Sequence, residues 1–335
     1  MDERFLSHGA QRVAKGISTP FLPDALASLA DNSSDMPMNP LRWPDETARP
    51  RNHEEPGFSQ PGSNICLDFH GDPMRARLVV FSDGNHHMAL QETLRAFLLK
   101  FPEVEDVFYV TTPPRVALQM LQAGCLNIGN LRLSVTPHVF ISPSAVLDQL
   151  IAEKRMPAYR PFMHSRGVVL LVRKGNPKNI SGLRDLLRED VRVFLSNPVN
   201  EKVSYQIYTD CLRRLALHEK ISLDFLANPP AYPGSPNLIY GDTIHHREAP
   251  QALMDGHADV AVVFYHLALR YQRIFPELFD SVWPAGSRGN QHCDINRFGF
   301  GLVDGGGSWG SKLDTFLMTD EVTSIYAAHG LERAV

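Results

Sequence analysis

His138-Val-Phe-Ile-Ser-Pro-Ser-Ala-Val-Leu-Asp-Gln-Leu150, followed by Val168-Val-Leu-Leu-Val-Arg-Lys-Gly-Asn-Pro177, Ser181-Gly-Leu-Arg-Asp-Leu-Leu187 and Val191-Arg-Val-Phe-Leu-Ser-Asn-Pro198, decides the fold. A short apolar run ends at a small polar residue, a helix follows, and a second β-rich unit opens with its own strand, turn and capped helix. Short apolar runs that alternate with helical periodicity predict parallel pairing with crossover helices.

Working outward, strands are expected near Leu78–Ser82, Val107–Thr112, Val139–Ser142, Val168–Val172, Val191–Ser196, Leu238–Tyr240, Val260–Phe264 and Phe298–Val303. The first helix, from about Met88 to Lys100, sets Leu90, Leu94, Phe97 and Leu98 on one face. Thr112, Ser142 and Ser181 are expected to cap the helices that follow them, and Gly124 to close one. Gly305-Gly-Gly-Ser308 lacks the register of a phosphate cradle and predicts a turn before the C-terminal helices.

The chain has 335 residues, 43% of them hydrophobic and 21% charged, enough for two domains with real cores. A formal charge of -4 gives no electrostatic case for a nucleic-acid partner. No apolar run reaches the ~18 residues that a membrane-spanning helix needs, so no membrane insertion is expected. Cys66, Cys125, Cys211 and Cys293 carry no CxxC pairing, which excludes a zinc ribbon and leaves one disulfide open. Eight prolines between Pro20 and Pro61, set among Asn, Ser, Asp and Glu, predict that residues 1–75 form a disordered or loosely attached extension.

This order of elements resembles the type II periplasmic-binding-protein family, and within it the molybdate/tungstate-binding branch. The resemblance runs over roughly residues 77–330. It implies an α/β fold of two lobes, each a mostly parallel sheet flanked by helices, with lobe one at 76–165 plus 264–335 and lobe two at 166–263. The outgoing crossing is expected near Phe162–Gly167 and the return near Val262–Tyr265. It also implies a solute-binding protein that closes on a small ligand, most readily an oxyanion of molybdate or tungstate type, for the permease of an ABC importer. A periplasmic, monomeric protein without a cofactor is expected. The opening MDERFLSHGAQRVAKG does not read as a secretory signal, so a cytoplasmic ligand sensor of the same fold is the alternative.

Ligands of open α/β sheets bind beyond the carboxyl ends of strands, where helix N-termini present amides. Five segments qualify: Ser82–His87, Thr111–Pro114, Ser142, Asn200–Tyr205 and His245–Arg247. In the resembled family a serine of the first loop holds the anion, and here Asn85 takes its place with His86 and His87 after it. Thr111 and Thr112 fall near the second serine, and Asn197–Tyr205 follows the family's Asn-Pro loop. His246 falls where a backbone amide reaches the anion. The family's binding tyrosine corresponds to Tyr265 or, by strict count, to Phe264.

The candidate ligand set is therefore Asn85, His86, His87, Thr111, Thr112, Ser142, Ser204, Tyr205, His245, His246, Arg247 and Tyr265. Protonated imidazoles and the arginine suit an oxyanion or carboxylate, whereas neutral imidazoles suit a transition-metal ion or chelate, with His86 and His246 as the metal candidates. His164 and His266 read as hinge-packing residues. No nucleophile elbow, HExxH or paired-carboxylate signature is present, so binding rather than catalysis is expected.

Overall fold

The structure, a computed structural model, describes residues 68–112, 114–128, 131–199, 201–223, 237–242, 245–284 and 297–334. The expected extension over 1–67, together with Pro113 and Asn200 of the candidate loops, lies outside the described residues. In chain order the elements are β1 (Phe69–His70), β2 (Ala76–Ser82), a 3-10 turn (Gly84–His86), α1 (His87–Lys100), β3 (Asp106–Val110) and α2 (Pro114–Ala123). The pair β4 (Leu126–Ile128) and β5 (Leu131–Leu133) leads to β6 (Val139–Pro143), α3 (Ser144–Ala152), β7 (Arg160–Ser165) and β8 (Val168–Arg173). There follow β9 (Val193–Leu195), α4 (Lys202–Glu219), β10 (Leu238–Tyr240), α5 (His245–Met254), β11 (Val260–Phe264) and α6 (Tyr265–Ile274). The chain ends with β12 (Phe279–Val282), β13 (Arg297–Leu302), α7 (Gly307–Leu317), α8 (Asp320–Ala328) and β14 (Leu331–Arg333).

These strands form two main sheets, ordered β1-β3-β2-β6-β13-β7-β14 and β10-β9-β11-β8-β12. Both are flanked by helices, which is the two-lobe α/β architecture expected. Parallel pairing holds only among β3-β2-β6 of sheet one and among β10-β9-β11 at one end of sheet two. The flanking strands pair antiparallel, so each sheet is mixed rather than mostly parallel. The cause is connectivity: a crossover helix is needed only between parallel neighbours.

Each sheet has its own packing. The run Val168–Val172 is buried throughout because sheet two is covered on both faces, which is why it reads as continuous rather than alternating. Sheet one separates two cores. Leu78, Val80, Val139 and Ile141 face α1, α7 and α8, while Phe81, Phe108, Val110 and Phe140 face α2 and α3.

The chain leaves sheet one between Ser165 and Val168, where Gly167 has φ +105° and its carbonyl accepts the Tyr265 amide at 3.0 Å. The return differs from the expectation near 262–265: β12 still belongs to sheet two, paired antiparallel with β8. Phe-Asp-Ser-Val is too short and too polar to announce a strand, and only the open edge of β8 recruits it. Residues 68–75 also depart from the expected extension. Phe69 buries its ring in the core of sheet one, and β1 pairs antiparallel with β3.

Candidate functional site

The carboxyl ends of β3, β2 and β6 lie side by side in sheet one. After β2 the chain turns at Asp83, whose carboxylate accepts the Asn85 amide at 2.8 Å and so fixes the loop before α1. Burial pushes the Asp83 carboxyl up to about 6, against the opposing hydrogen bonds from Asn85. Gly84 is required here, since a Cβ would stand 2.6 Å from the Thr111 carbonyl oxygen.

On the neighbouring strands Thr111 hydrogen-bonds His70, Oγ1 to Nε2 at 2.9 Å. The hydroxyls of Thr112 and Ser142 are buried and have no hydrogen-bond partner. Neither is the helix cap expected of it: α3 takes Pro143 at its cap position without a side-chain bond. The two strands that flank β2 thus each present an unspent hydroxyl at their carboxyl ends. On sheet two, Ser196 at the end of β9 is a third buried hydroxyl without a partner.

The histidines divide. His86 is a core residue, not a ligand: its Nε2 bonds Ser82 Oγ at 3.1 Å, its Nδ1 bonds Tyr326 OH at 2.9 Å, and its ring packs on Phe298. Burial lowers its pKa to about 3, so it stays neutral with both nitrogens spent. That removes it from the metal candidates as well. His245 is likewise internal to sheet two, donating Nε2–H to the Val262 carbonyl at 2.8 Å and stacking on Phe194, with burial lowering its pKa to about 4. Among the described residues no group of three His, Cys, Asp or Glu side chains is placed to hold a metal ion.

His87 and His246 lie nearer the junction of the lobes. His87 donates Nδ1–H to the Gly84 carbonyl at 2.8 Å, which fixes its tautomer. His246 is half-buried, and its carbonyl accepts the Tyr271 hydroxyl. Burial, then the charges of Arg247, Arg270 and His87, hold its imidazole well below the ordinary range. His266, expected to pack at the hinge, stacks on Phe264 beside the Asn85 backbone, and neither ring nitrogen closes a well-formed hydrogen bond. It lines a small cavity with Asn85, His87 and Arg270.

The α5 side is more committed than the sequence suggested. Glu201 Oε2 already accepts the His245 amide at 2.9 Å, so the N-terminus of α5 carries its own carboxylate. Arg247, two residues on, pairs with Asp68 Oδ1 at 3.0 Å and thereby joins α5 to the residue before β1. Tyr205 is buried in the first turns of α4, edge-on to Tyr240 at 6.2 Å, and Ser204 beside it is half-buried. Tyr265 stacks on Trp283 at 5.0 Å with Arg166 over its ring, a packing role at the crossing.

The structure therefore brings together Asn85, His87, His246 and Arg247 with three residues that sequence reasoning missed as site residues: Asp68, His266 and Arg270. His266 and Arg270 stand four apart on α6, and a buried arginine on an otherwise apolar helical face was the available signal. Asp68 gave none, because it sits in a stretch that reads as extension.

The family model described as bacterial extracellular solute-binding protein matches residues 78–332. No curated protein matches the chain. Among solved structures, the substrate-binding domain of a putative molybdenum ABC transporter from Clostridium difficile is 13% identical, with a TM-score of 0.55, covering 77% of this chain and 99% of that one. PEB3 of Campylobacter jejuni, solved with L-phospholactate, is 14% identical at a TM-score of 0.54, covering 77% and 100%. The periplasmic molybdate-binding protein of Azotobacter vinelandii is 13% identical at 0.52, covering 77% and 100%. At these identities the likeness is one of fold. With the family match spanning both sheets, the chain belongs to the bacterial extracellular solute-binding proteins, built on the two-lobe fold of type II periplasmic binding proteins.

Proposed function

We propose that the protein captures a small oxyanion of molybdate or tungstate type between the carboxyl ends of its two sheets and delivers it, outside the cytoplasm, to an ABC-type importer. The observation that carries this reading is three buried hydroxyls without partners at strand ends, Thr112 and Ser142 on the two strands that flank β2 and Ser196 just past β9 of sheet two. A buried donor left unbonded costs ~1–3 kcal/mol, and a tetrahedral oxyanion offers acceptors in several directions at once. Asn85, Thr112 and Ser142 are the proposed donors of sheet one. Ser196, Ser204, His246 and Arg247 are those of the sheet-two side. The metal-ion reading is not proposed, because His86 has no nitrogen to give.

Native mass spectrometry and thermal unfolding with molybdate, tungstate, sulfate, phosphate and L-phospholactate test the proposal. One or more of these anions is expected to raise the melting temperature in a concentration-dependent way, since binding at a hundred times Kd adds about 2.7 kcal/mol to the folded state. A Thr112→Val/Ser142→Ala protein that folds, by circular dichroism, is expected to lose most of that rise. No response to any anion at millimolar concentration would refute the proposed function.

A further inference from the structure

Asp68 stands ten residues before the start of the family match, yet it makes a contact that joins the two halves of the molecule. The short stretch Asp68–His70 is held firmly on the sheet-one side. Asp68 O accepts the Thr111 amide at 2.8 Å, β1 pairs with β3, and His70 reaches the Thr111 hydroxyl. From this anchorage, beside the proposed ligand hydroxyl of Thr112, the Asp68 carboxylate crosses to the Arg247 guanidinium of α5, which packs on sheet two.

The surroundings are those of an anion subsite. His246 feels the positive charges of Arg247 and Arg270, and His87 lies close enough to act on both His246 and Asp68. The nearby carboxylates are engaged locally, Glu201 at the start of α4 with the His245 amide and Glu248 of α5 with that of Asp242. Asp68 is the acid that pairs with Arg247. Its carboxylate has the same chemistry as an oxyanion or carboxylate ligand: delocalised negative charge on oxygens spaced for a guanidinium.

The geometry points to Asp68 as an intramolecular stand-in for the ligand, its carboxylate holding Arg247 until an incoming oxyanion or carboxylate displaces it. This rests on the anion-binding reading above and adds to it that Arg247 is a ligand contact kept occupied by the chain's own arm. Two features allow exchange. The pair is partly open to solvent, at 39% side-chain exposure for Arg247 and 23% for Asp68. The carboxylate also gains less from its partner than it loses by burial, since desolvation is the largest influence on Asp68 and raises its pKa in spite of Arg247 and His87.

A double-mutant cycle on the full chain tests this, with sulfate, molybdate and L-phospholactate titrated calorimetrically into wild type, Asp68→Asn, Arg247→Ala and the double variant. Asp68→Asn keeps the main-chain bond to Thr111, and Asp68→Ser is a second probe of the same deletion. Affinity is expected to rise on losing Asp68 by about tenfold, the factor gained when a site only about a tenth competent becomes wholly so. Affinity is expected to fall in Arg247→Ala, and removing Asp68 in that background to change nothing. Anion binding that is unaffected by Asp68, or weakened by its loss, leaves the oxyanion reading intact and overturns the stand-in. Absence of binding in all four proteins overturns the oxyanion reading and this inference with it.

Discussion

His86 and Asp83 occupy one loop and pull the stability of the fold in opposite directions with pH. The imidazole of His86 is held near a pKa of about 3, that of His266 near about 3 and that of His245 near about 4, in each case by burial, against about 6.5 in an unfolded chain. Below about pH 6.5 the unfolded state takes up protons that the folded state refuses, so this stability is complete above that value and is lost as pH falls toward 3. Asp83 acts the other way. Its folded pKa of about 6 lies above the unfolded value, so its burial destabilises the fold at neutral pH and that cost disappears on acidification. These depressed histidines, with His246 beside them, outweigh the raised carboxyls Asp83, Asp68 and Glu201, and the melting temperature is expected to fall steadily from pH 7 to pH 4. Asp83→Asn removes one compensating group and should steepen that fall. A melting temperature that is flat or rising over this range would contradict the assignment of these histidines as buried and neutral. The same residues show where reading the sequence stops. His86 and His245 sit at strand-to-helix junctions, as a ligand would, and only the tertiary partners Tyr326 and Val262 reveal that Nδ1 of His86 and Nε2 of His245 are already engaged within the core.

At the scale of elements, strands were legible wherever burial on both faces or a clean apolar run wrote them into the sequence, as in Val168–Val172 and Val260–Phe264. Those recruited by an existing edge were not. Arg160–Ser165, Phe279–Val282 and Leu331–Arg333 are short or polar, and each strand is defined by the neighbour it pairs with. The strand Arg297–Leu302 was readable, but the purpose of its glycines was not. A Cβ on Gly301 would lie 2.5 Å from Met156 Sδ and 2.7 Å from the Ala158 carbonyl, so the missing side chain makes room for the segment that crosses it. The backbone oxygen cannot yield as a methionine tip can. Gly301→Ala is therefore expected to cost ~1–3 kcal/mol, the range for overpacking a filled core, visible as a lower melting temperature with the far-ultraviolet spectrum preserved. Wild-type stability in this variant would show that the Met156–Ala158 segment is free to move aside.

For the whole molecule, the proposed closure on a ligand has a built-in reporter at the crossing between the lobes. Two-lobe binding proteins close by changing a few backbone angles where the chain crosses from one half to the other. Here the outgoing crossing is at Arg166–Gly167, and Tyr265 meets it from the end of β11, its amide on the Gly167 carbonyl and its ring between Arg166 and Trp283. Trp283 follows directly on β12, at the last described point of sheet two before the chain rejoins sheet one. A rotation of the lobes must change the packing of that half-buried indole, and Trp283 is one of only three tryptophans in the chain. Of the other two, Trp309 lies on α7, within sheet one's own packing. Addition of the anion that stabilises the protein is thus expected to change the tryptophan emission saturably, with a midpoint equal to the calorimetric Kd, and Trp283→Phe to abolish the change while leaving Kd within about twofold, as expected of a side chain outside the ligand set. Should the emission change survive in Trp283→Phe, the motion lies elsewhere. Should binding proceed with no emission change in wild type, the lobes do not rotate at this crossing, and the ligand enters a molecule already closed.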